Sequence, residues 1–342
     1  MIDVALGGQY GDEGKGQVVA HLTLAKNYYF AVRAGGSNAE HRFNTPDNKR
    51  FTARVIPSSA WVDPDIKLVL AAGHMIKLDS LRREITQLEE LWGKDNVRER
   101  LFIDGQAGVI PPDYAGRDDE TAWRGSTHQG VGKSVAQKVR RTGDFKLAED
   151  YRELRSYTTD TVMLMNRWLR VGKRGLFEGS QGALLSLDLG AYPFNTSKNI
   201  TPAGMLGEAG ISARYLNDVY SIYRTVPMRV PGNSGPTGGR EMTWEELERR
   251  ANIDIPEHKK IQTDSPKDAP ERVFEWSWDD FERSVAIVGP DYLVFTFLDW
   301  YEGNEKQLMS VASQMAEAPV VLTRNGPKWE DYETHGRMGE GV

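Results

Sequence analysis

The chain contains no cysteine, which removes disulfides, thiolate catalysis and Cys-ligated zinc from consideration. It has no excess of positive charge. Its 43 lysines and arginines stand against 49 aspartates and glutamates, a net charge of −6 over 342 residues. Direct nucleic-acid binding is therefore not expected, although a local basic cluster would still serve a small phosphorylated ligand. No run of about 18 apolar residues is present, so no membrane span is expected. The opening residues lack the basic and apolar regions of a secretory signal, and a cytoplasmic protein is the expectation. A dividing linker, internal repeats and low-complexity tracts are also missing. The Gly/Pro-rich stretches 104–117, 231–240 and 263–270 read as long functional loops on a single domain covering 1–342.

What is there alternates. Apolar, β-rich segments recur at 2–6, 29–33, 67–71, 175–178, 217–230, 292–298 and 319–323, with helix-like segments between many of them. This predicts an α/β fold with a largely parallel central sheet flanked by helices. Asp79 is placed to cap a helix with apolar positions Leu81, Ile85, Leu88 and Trp92, stopped by Gly93. Thr243 and Glu246 read as a capping box opening a helix to about Ala251. Trp61, Trp92, Trp276, Trp278 and Trp300 are read as packing residues.

The most informative stretch is Gly7-Gly8-Gln9-Tyr10-Gly11-Asp12-Glu13-Gly14-Lys15-Gly16, directly after the apolar run Ile2–Leu6 and before a helix-like run from Gln17. Glycines let backbone N–H groups converge on an anion, and a following helix adds its positive N-terminus. The loop reads as a phosphate cradle. It is not a Walker A motif, because Gln9 stands at the first glycine position and Gly16 at the Ser/Thr position. Asp12 is the odd element, since an acid beside a phosphate repels it unless it holds a metal or moves a proton.

Three further segments carry chemistry. The run from Arg33 to Arg42 offers glycines, Asn38 and His41, whose imidazole suits a phosphoryl oxygen near neutral pH. The run from Gly125 to Gly132, with Ser126 and Thr127, precedes Lys133, Lys138, Arg140 and Arg141. It reads either as a second phosphate site or as an ordinary loop before a solvated basic helix. The run from Phe177 to Asp188 contains Gln181, a donor and acceptor for a base edge, and leads to Tyr192–Asn199.

The ordered set Gly11–Gly16, Asn38-Ala-Glu-His41, Glu178-Gly-Ser-Gln-Gly182, Tyr192-Pro-Phe-Asn-Thr-Ser197 and Thr296-Phe-Leu-Asp299 resembles the adenylosuccinate synthetase family nearly end to end. The resemblance implies that family's fold, with a P-loop-like nucleotide site, and a two-step ligase. A nucleoside triphosphate phosphorylates a purine 6-oxo group, and the amine of L-aspartate then displaces the phosphate. It implies Asp12, His41, Lys15 and Gln181 as the catalytic set. Mg²⁺ is the implied cofactor, held by Asp12 and the backbone carbonyl of Glu40. Asn38, Ser126, Thr127, Gln181, Thr196 and, across a homodimer interface, Arg141 would hold the purine monophosphate. Gly11, Glu13, Gly14, Lys15, Gly16, His41, Arg42, Phe297, Asp299, Asn325 and Gly326 would hold the triphosphate.

The chain departs from the family at several places. Glu40 replaces a usual glycine, His128-Gln129 replaces a Gly-Arg pair, and Phe297 replaces a lysine. A stacking phenyl ring would accept adenine, leaving ATP, dATP or GTP as donor. The Thr-Gly-Arg-rich run that binds aspartate is replaced by Gln262–Val273, from which Ser265, Lys267 and Arg272 are the expected aspartate ligands. The segment Arg229–Gly239, followed by Thr243-Trp-Glu-Glu-Leu, is similar to the bacteriophage branch of the family, which makes 2-aminoadenylosuccinate from dGMP. The expected substrates are thus dGMP, L-aspartate and ATP, in a host-cell cytoplasm. An ordinary synthetase using IMP and GTP is the alternative. A non-catalytic nucleotide-binding switch is a remoter one.

Overall fold

The computed structural model describes residues 1–114, 128–256, 260 and 269–336. Ser126, Thr127, Ser265 and Lys267, and most of the expected loop 263–270, lie outside them.

Ile2–Gly7 is buried along its whole length, as expected of a continuous apolar run inside a parallel sheet. It pairs in parallel with Gly175–Gly182 on one side and Leu216–Arg224 on the other. Successive residues alternate between two cores. Ile2, Val4 and Leu6 join Phe30, Met165, Leu169 and Met205 on one face, whereas Ala5 joins Val18, Leu22, Trp61 and Leu81 on the other.

Among the described residues ten strands form the sheet, in the order Tyr332–Thr334, Val320–Arg324, Tyr292–Thr296, Leu216–Arg224, Ile2–Gly7, Gly175–Gly182, Phe30–Arg33, Lys67–Leu70, Leu101–Asp104 and Thr158–Thr159. Tyr332–Thr334 runs antiparallel to its neighbour, and every other pairing is parallel. Ligands of such sheets bind outside the carboxyl ends of the strands. The glycine loop after Gly7, Gln181 near the end of its strand and Phe297, all singled out above, leave those ends, and Arg224 and Arg324 close two neighbouring strands there.

Differences from expectation have local causes. The segment 217–230 is strand only to Arg224. Pro227, which has no N–H to donate, precedes Met228–Arg229, which joins a separate three-stranded antiparallel sheet with Arg272–Phe274 and Glu241–Met242. Leu101–Asp104 and the hairpin His41–Asn44 with Arg50–Ala53 are strands too short to announce themselves.

The helix Leu78–Trp92 begins one residue before the expected cap. Lys77 is its N-cap, and Asp79 instead sits in the first turn beside Arg82 at 2.8 Å, where a carboxylate favours the helix dipole. Its stop at Gly93 and the burial of Leu81 and Leu88 are as expected. In Trp244–Ala251 the Thr243 hydroxyl accepts from the Glu246 N–H at 3.1 Å. The Glu246 carboxylate turns to Arg240 and Arg250. Trp61 and Trp300 are buried, and Trp92, Trp276 and Trp278 pack against the cores.

Candidate active site

The carboxyl edge of the sheet carries a cleft of about 1130 Å³. Its lining brings together Gly11, Asp12, Gly14, Lys15, Gly16, Asn38, Glu40, His41, Arg42, Gln181, Thr196, Phe297, Asp299 and Gly326. Glu13, Asn325, Arg141 and Arg272 do not line it.

The glycine loop is held from inside. Glu13 is fully buried, and its carboxylate accepts from the Gly11 N–H at 2.8 Å, the Gln9 N–H at 3.2 Å and Lys15 Nζ at 2.6 Å. Gly11, Asp12 and Gly14 all have positive φ, at 97°, 59° and 81°. A Cβ on Gly16 would stand 2.7 Å from His41 Cβ, so glycine there permits the close approach of the two segments. Among the described residues no side chain caps the helix Lys15–Lys26, and its first turn holds no acid. Its first N–H groups are left for an anion in the cleft.

His41 faces this helix start. It is 5 % exposed, and its Nδ1 bonds the carboxylate of Glu178, while its Nε2 has no partner among the described residues. Burial, with Arg33 and Lys15 nearby, pushes His41 down to about 4 despite Glu178. With the neutral ring donating from Nδ1 to Glu178, the buried Nε2 carries the lone pair. Glu178 also accepts from the Ser58 N–H at 2.6 Å and the Ser58 hydroxyl at 2.8 Å. Although burial acts against it, Arg33 and His41 hold this carboxyl below its ordinary value.

Gln181, at φ 54°, donates from Nε2 to Asn38 Oδ1 at 3.0 Å, and its Oε1 is buried without a partner among the described residues. Thr196 is held by its N–H to Leu185 O at 2.7 Å. The wall beside it carries Leu185, Phe194, Met228 and Val230.

The remaining acids differ in state. The Glu40 carboxylate is clamped by Arg42 and Arg54, so its charge is compensated. Burial and the neighbouring Asp12 push Glu271 up to about 8. Asp12 is exposed to the cleft. Among the described residues no three His, Cys, Asp or Glu side chains gather as a metal cage. One hard carboxylate beside an anion site nevertheless fits Mg²⁺, which binds through one or two carboxylates plus substrate phosphates.

Phe297 does not offer two open faces. The Arg224 guanidinium lies 3.7 Å from its ring centroid, and Arg324 lies 5.4 Å away. Arg272 is bidentate to Glu241, at 2.8 and 2.6 Å, and bonds Ser234 and Gly235. Arg141 follows the helix Val131–Arg140 as an exposed cap. Asn325 donates its N–H to Asp331 O, away from the cleft.

Glu178, Arg33, Arg224 and Glu271 were not foreseen as site residues. The signal for the first two is a charge inside an apolar parallel strand, where burial demands a partner.

The fold and cleft define an α/β protein built around an anion-ready loop. The adenylosuccinate synthetase family profile matches residues 4–149 and 144–254. The adenylosuccinate synthetase of Thermococcus onnurineus is 30% identical over 348 residues, covering 96% of each chain. That of Methanococcus vannielii is 34% identical over 251 residues, covering 72% of this chain and 71% of that one. The chain belongs to the adenylosuccinate synthetase family of carbon–nitrogen ligases.

Two solved structures share the fold. The fully ligated adenylosuccinate synthetase of Plasmodium falciparum superposes with TM-score 0.82 at 18% identity, covering 98% of this chain and 99% of that one. The succinoaminodeoxyadenylate synthetase of cyanophage S-2L, bound to dGMP and dATP, gives 0.81 at 23%, covering 97% and 95%.

Proposed function

We propose that this ligase joins L-aspartate to C6 of dGMP with ATP or dATP as phosphoryl donor. The products are 2-amino-2′-deoxy-N6-succinyladenylate, the nucleoside diphosphate and phosphate. The observation that carries the dGMP reading is the buried Gln181 Oε1, which has no partner among the described residues. An acceptor without a partner calls for a donor on the ligand. Once Asp12 takes the N1 proton, the 2-amino group of guanine still offers one, and hypoxanthine does not. The apolar wall beside Thr196 suits a sugar without a 2′-hydroxyl. The cyanophage enzyme of the same fold, solved with dGMP and dATP, agrees with this reading.

In the first step Asp12 accepts the N1 proton and O6 attacks the γ-phosphorus, breaking its bond to the diphosphate. The loop amides and Lys15 bind phosphate oxygens. Arrival of the polyanion favours the imidazolium of His41, whose Nε2–H then donates to the transferring group. In the second step the aspartate amine attacks C6, and phosphate leaves with the O6 oxygen. Asp12 and the Glu40 carbonyl would hold Mg²⁺, which supplies charge neutralisation at the phosphates. Asn38, Thr196 and Gln181, with Ser126 and Thr127, position the monophosphate. Phe297, Asp299, Arg42 and Gly326 border the donor.

Aspartate is assigned to Ser265, Lys267 and Arg272. For Arg272 this means exchanging the Glu241 carboxylate for that of the substrate. Arg141 reaches the monophosphate only in a homodimer, so sedimentation should report a dimer.

The full-length likeness to archaeal adenylosuccinate synthetases favours a second reading, IMP with GTP. A matrix of dGMP, GMP, IMP and dIMP against ATP, dATP and GTP, read by product mass, separates the two. We expect succinylated product from dGMP, and phosphate release only when all three substrates are present. A preference for IMP overturns the dGMP assignment. Tight nucleotide binding without any succinyl product would mark a non-catalytic switch.

A further inference from the structure

We infer that Arg224 is a positioning residue that ties the aromatic wall of Phe297 and Trp300 to the conformation of Asp12. The inference rests on the reading of Asp12 as the proton acceptor.

Arg224 ends the strand Leu216–Arg224 and makes two contacts with the glycine loop. Its N–H donates to Gln9 Oε1 at 2.9 Å, and its Nη1 donates to the main-chain oxygen of Asp12 at 3.0 Å. The same guanidinium lies 3.7 Å from the Phe297 ring centroid and 4.7 Å from that of Trp300. It is 4 % exposed, and Nε has no partner among the described residues. The carboxylates of Asp12 and Asp299 and the carboxyl of Glu271 lie around it, and Arg324 is the neighbouring cation.

Both ends of this connection need holding. Asp12 and Phe297 are non-glycine residues in the left-handed region, with φ of 59° and 57°. Such residues persist only when their surroundings over-determine them. Internal bonds of Glu13 fix Gly11 and Lys15 but leave the Asp12 carbonyl to Arg224. The turn Leu298–Trp300 carries Asp299 and Trp300 into the cleft, next to Phe297. A donor base settling on this wall therefore presses on the group that orients Asp12. The arrangement makes N1 deprotonation depend on an occupied donor site, so the purine is activated only when a phosphoryl group is ready to receive O6.

The test is a double-mutant cycle with Arg224→Met and Asp12→Asn, assayed with whichever purine monophosphate turns over. Arg224→Met should lower kcat at least tenfold while KM for the monophosphate and for aspartate stays within about threefold. In the Asp12→Asn background it should cause no further loss, because there is no carboxylate left to orient. Arg224→Lys should recover part of kcat. Wild-type kcat in Arg224→Met, or losses that multiply in the double variant, would overturn the inference. Should Arg224→Met not fold, Arg224→Lys is taken through the same cycle and judged by the same additivity criterion. Full turnover in Asp12→Asn alone would instead remove the reading of Asp12, and so separates that failure from this one.

Discussion

In the loop Gly7–Gly16 the internal anchors are buried contacts: Glu13 with Lys15, Gly11 and Gln9, and Thr296 Oγ1 on the Glu13 carbonyl at 2.8 Å. Across the cleft, the sheet of Met228–Arg229, Glu241–Met242 and Arg272–Phe274 is held otherwise. Its charged groups pair near the surface. The Arg272–Glu241 pair is 21 % and 47 % exposed, and Arg240, Arg250, Glu246, Glu275 and Glu302 form a network beside it. A buried carboxylate with three partners fixes one geometry, because losing any partner leaves an unpaired charge. A solvated ion pair exchanges at small cost. The first arrangement suits a group that must be pre-set for chemistry, and the second a group that must let go to receive a substrate.

Asp12→Ala gives the largest effect and tests whether the loop's chemistry separates from its architecture. The carboxylate faces solvent in the cleft, so its loss should leave the fold intact. Turnover should fall by about 10³-fold or more. Phosphate release and the melting temperature check this together. An active variant removes the assigned base, and a variant that unfolds makes Asp12 part of the architecture.

Acid should distinguish the two regions next. His21 and His41 are pushed down to about 4 and His74 well below its ordinary value, each mainly by burial. Burial pushes Glu84 up to about 7 and Glu271 to about 8. Between about pH 4.5 and 6.5 the unfolded chain holds three histidine protons that the fold lacks, and the fold holds two carboxyl protons that the unfolded chain lacks. Burial pushes Glu208 up as well, so the histidine and carboxyl protons largely offset and stability changes little with pH there. From 6.5 to 8 the histidine difference vanishes and the carboxyl groups make stability fall. Urea unfolding at pH 5, 6.5 and 8 should give similar stability at the first two and less at pH 8. In and beside the small sheet Glu241, Glu246 and Glu275 lie below their ordinary values, mainly through hydrogen bonds from arginines. Their share of stability is lost only below about pH 4.5, so hydrogen exchange at pH 5 should open the loop side first.

Glu178→Gln keeps the shape beside His41 but removes the charge that stabilises its imidazolium. A fall in kcat of about 10²-fold is expected, with little change in KM for aspartate. Equal losses in every parameter would point to general disorder of the site.

The loop was legible in the sequence because its task belongs to the backbone. Glycines at 11, 14 and 16 record where φ is positive or a neighbour comes close, and those needs are written in residue type. The sheet followed from apolar runs in the same way. Glu178 was not read as a partner of His41, since that pairing joins residues 137 apart. Phe297 was read as a stacking surface because a guanidinium from another strand cannot be foreseen on its face. Asp79 was read as a cap because the type is right and the boundary lies one residue away. Arg272 looked like a free cation when judged by charge alone, and its carboxylate partner stands 31 residues earlier.

Glu241→Gln should give the smallest effect and is aimed at that last point. The amide keeps one acceptor for Arg272 and removes the charge that competes with a substrate carboxylate. The pair is part-exposed, so stability should change by no more than about 1 kcal/mol. If Arg272 turns from Glu241 to aspartate, the weakened competitor should lower KM for aspartate about two- to fivefold, with kcat unchanged. If Arg272 only joins the strands Glu241–Met242 and Arg272–Phe274, KM should stay as it is and the melting temperature alone should drop. The direction of KM thus decides whether the small sheet lends its arginine to the reaction, as the exchangeable side of the cleft should, or merely frames it.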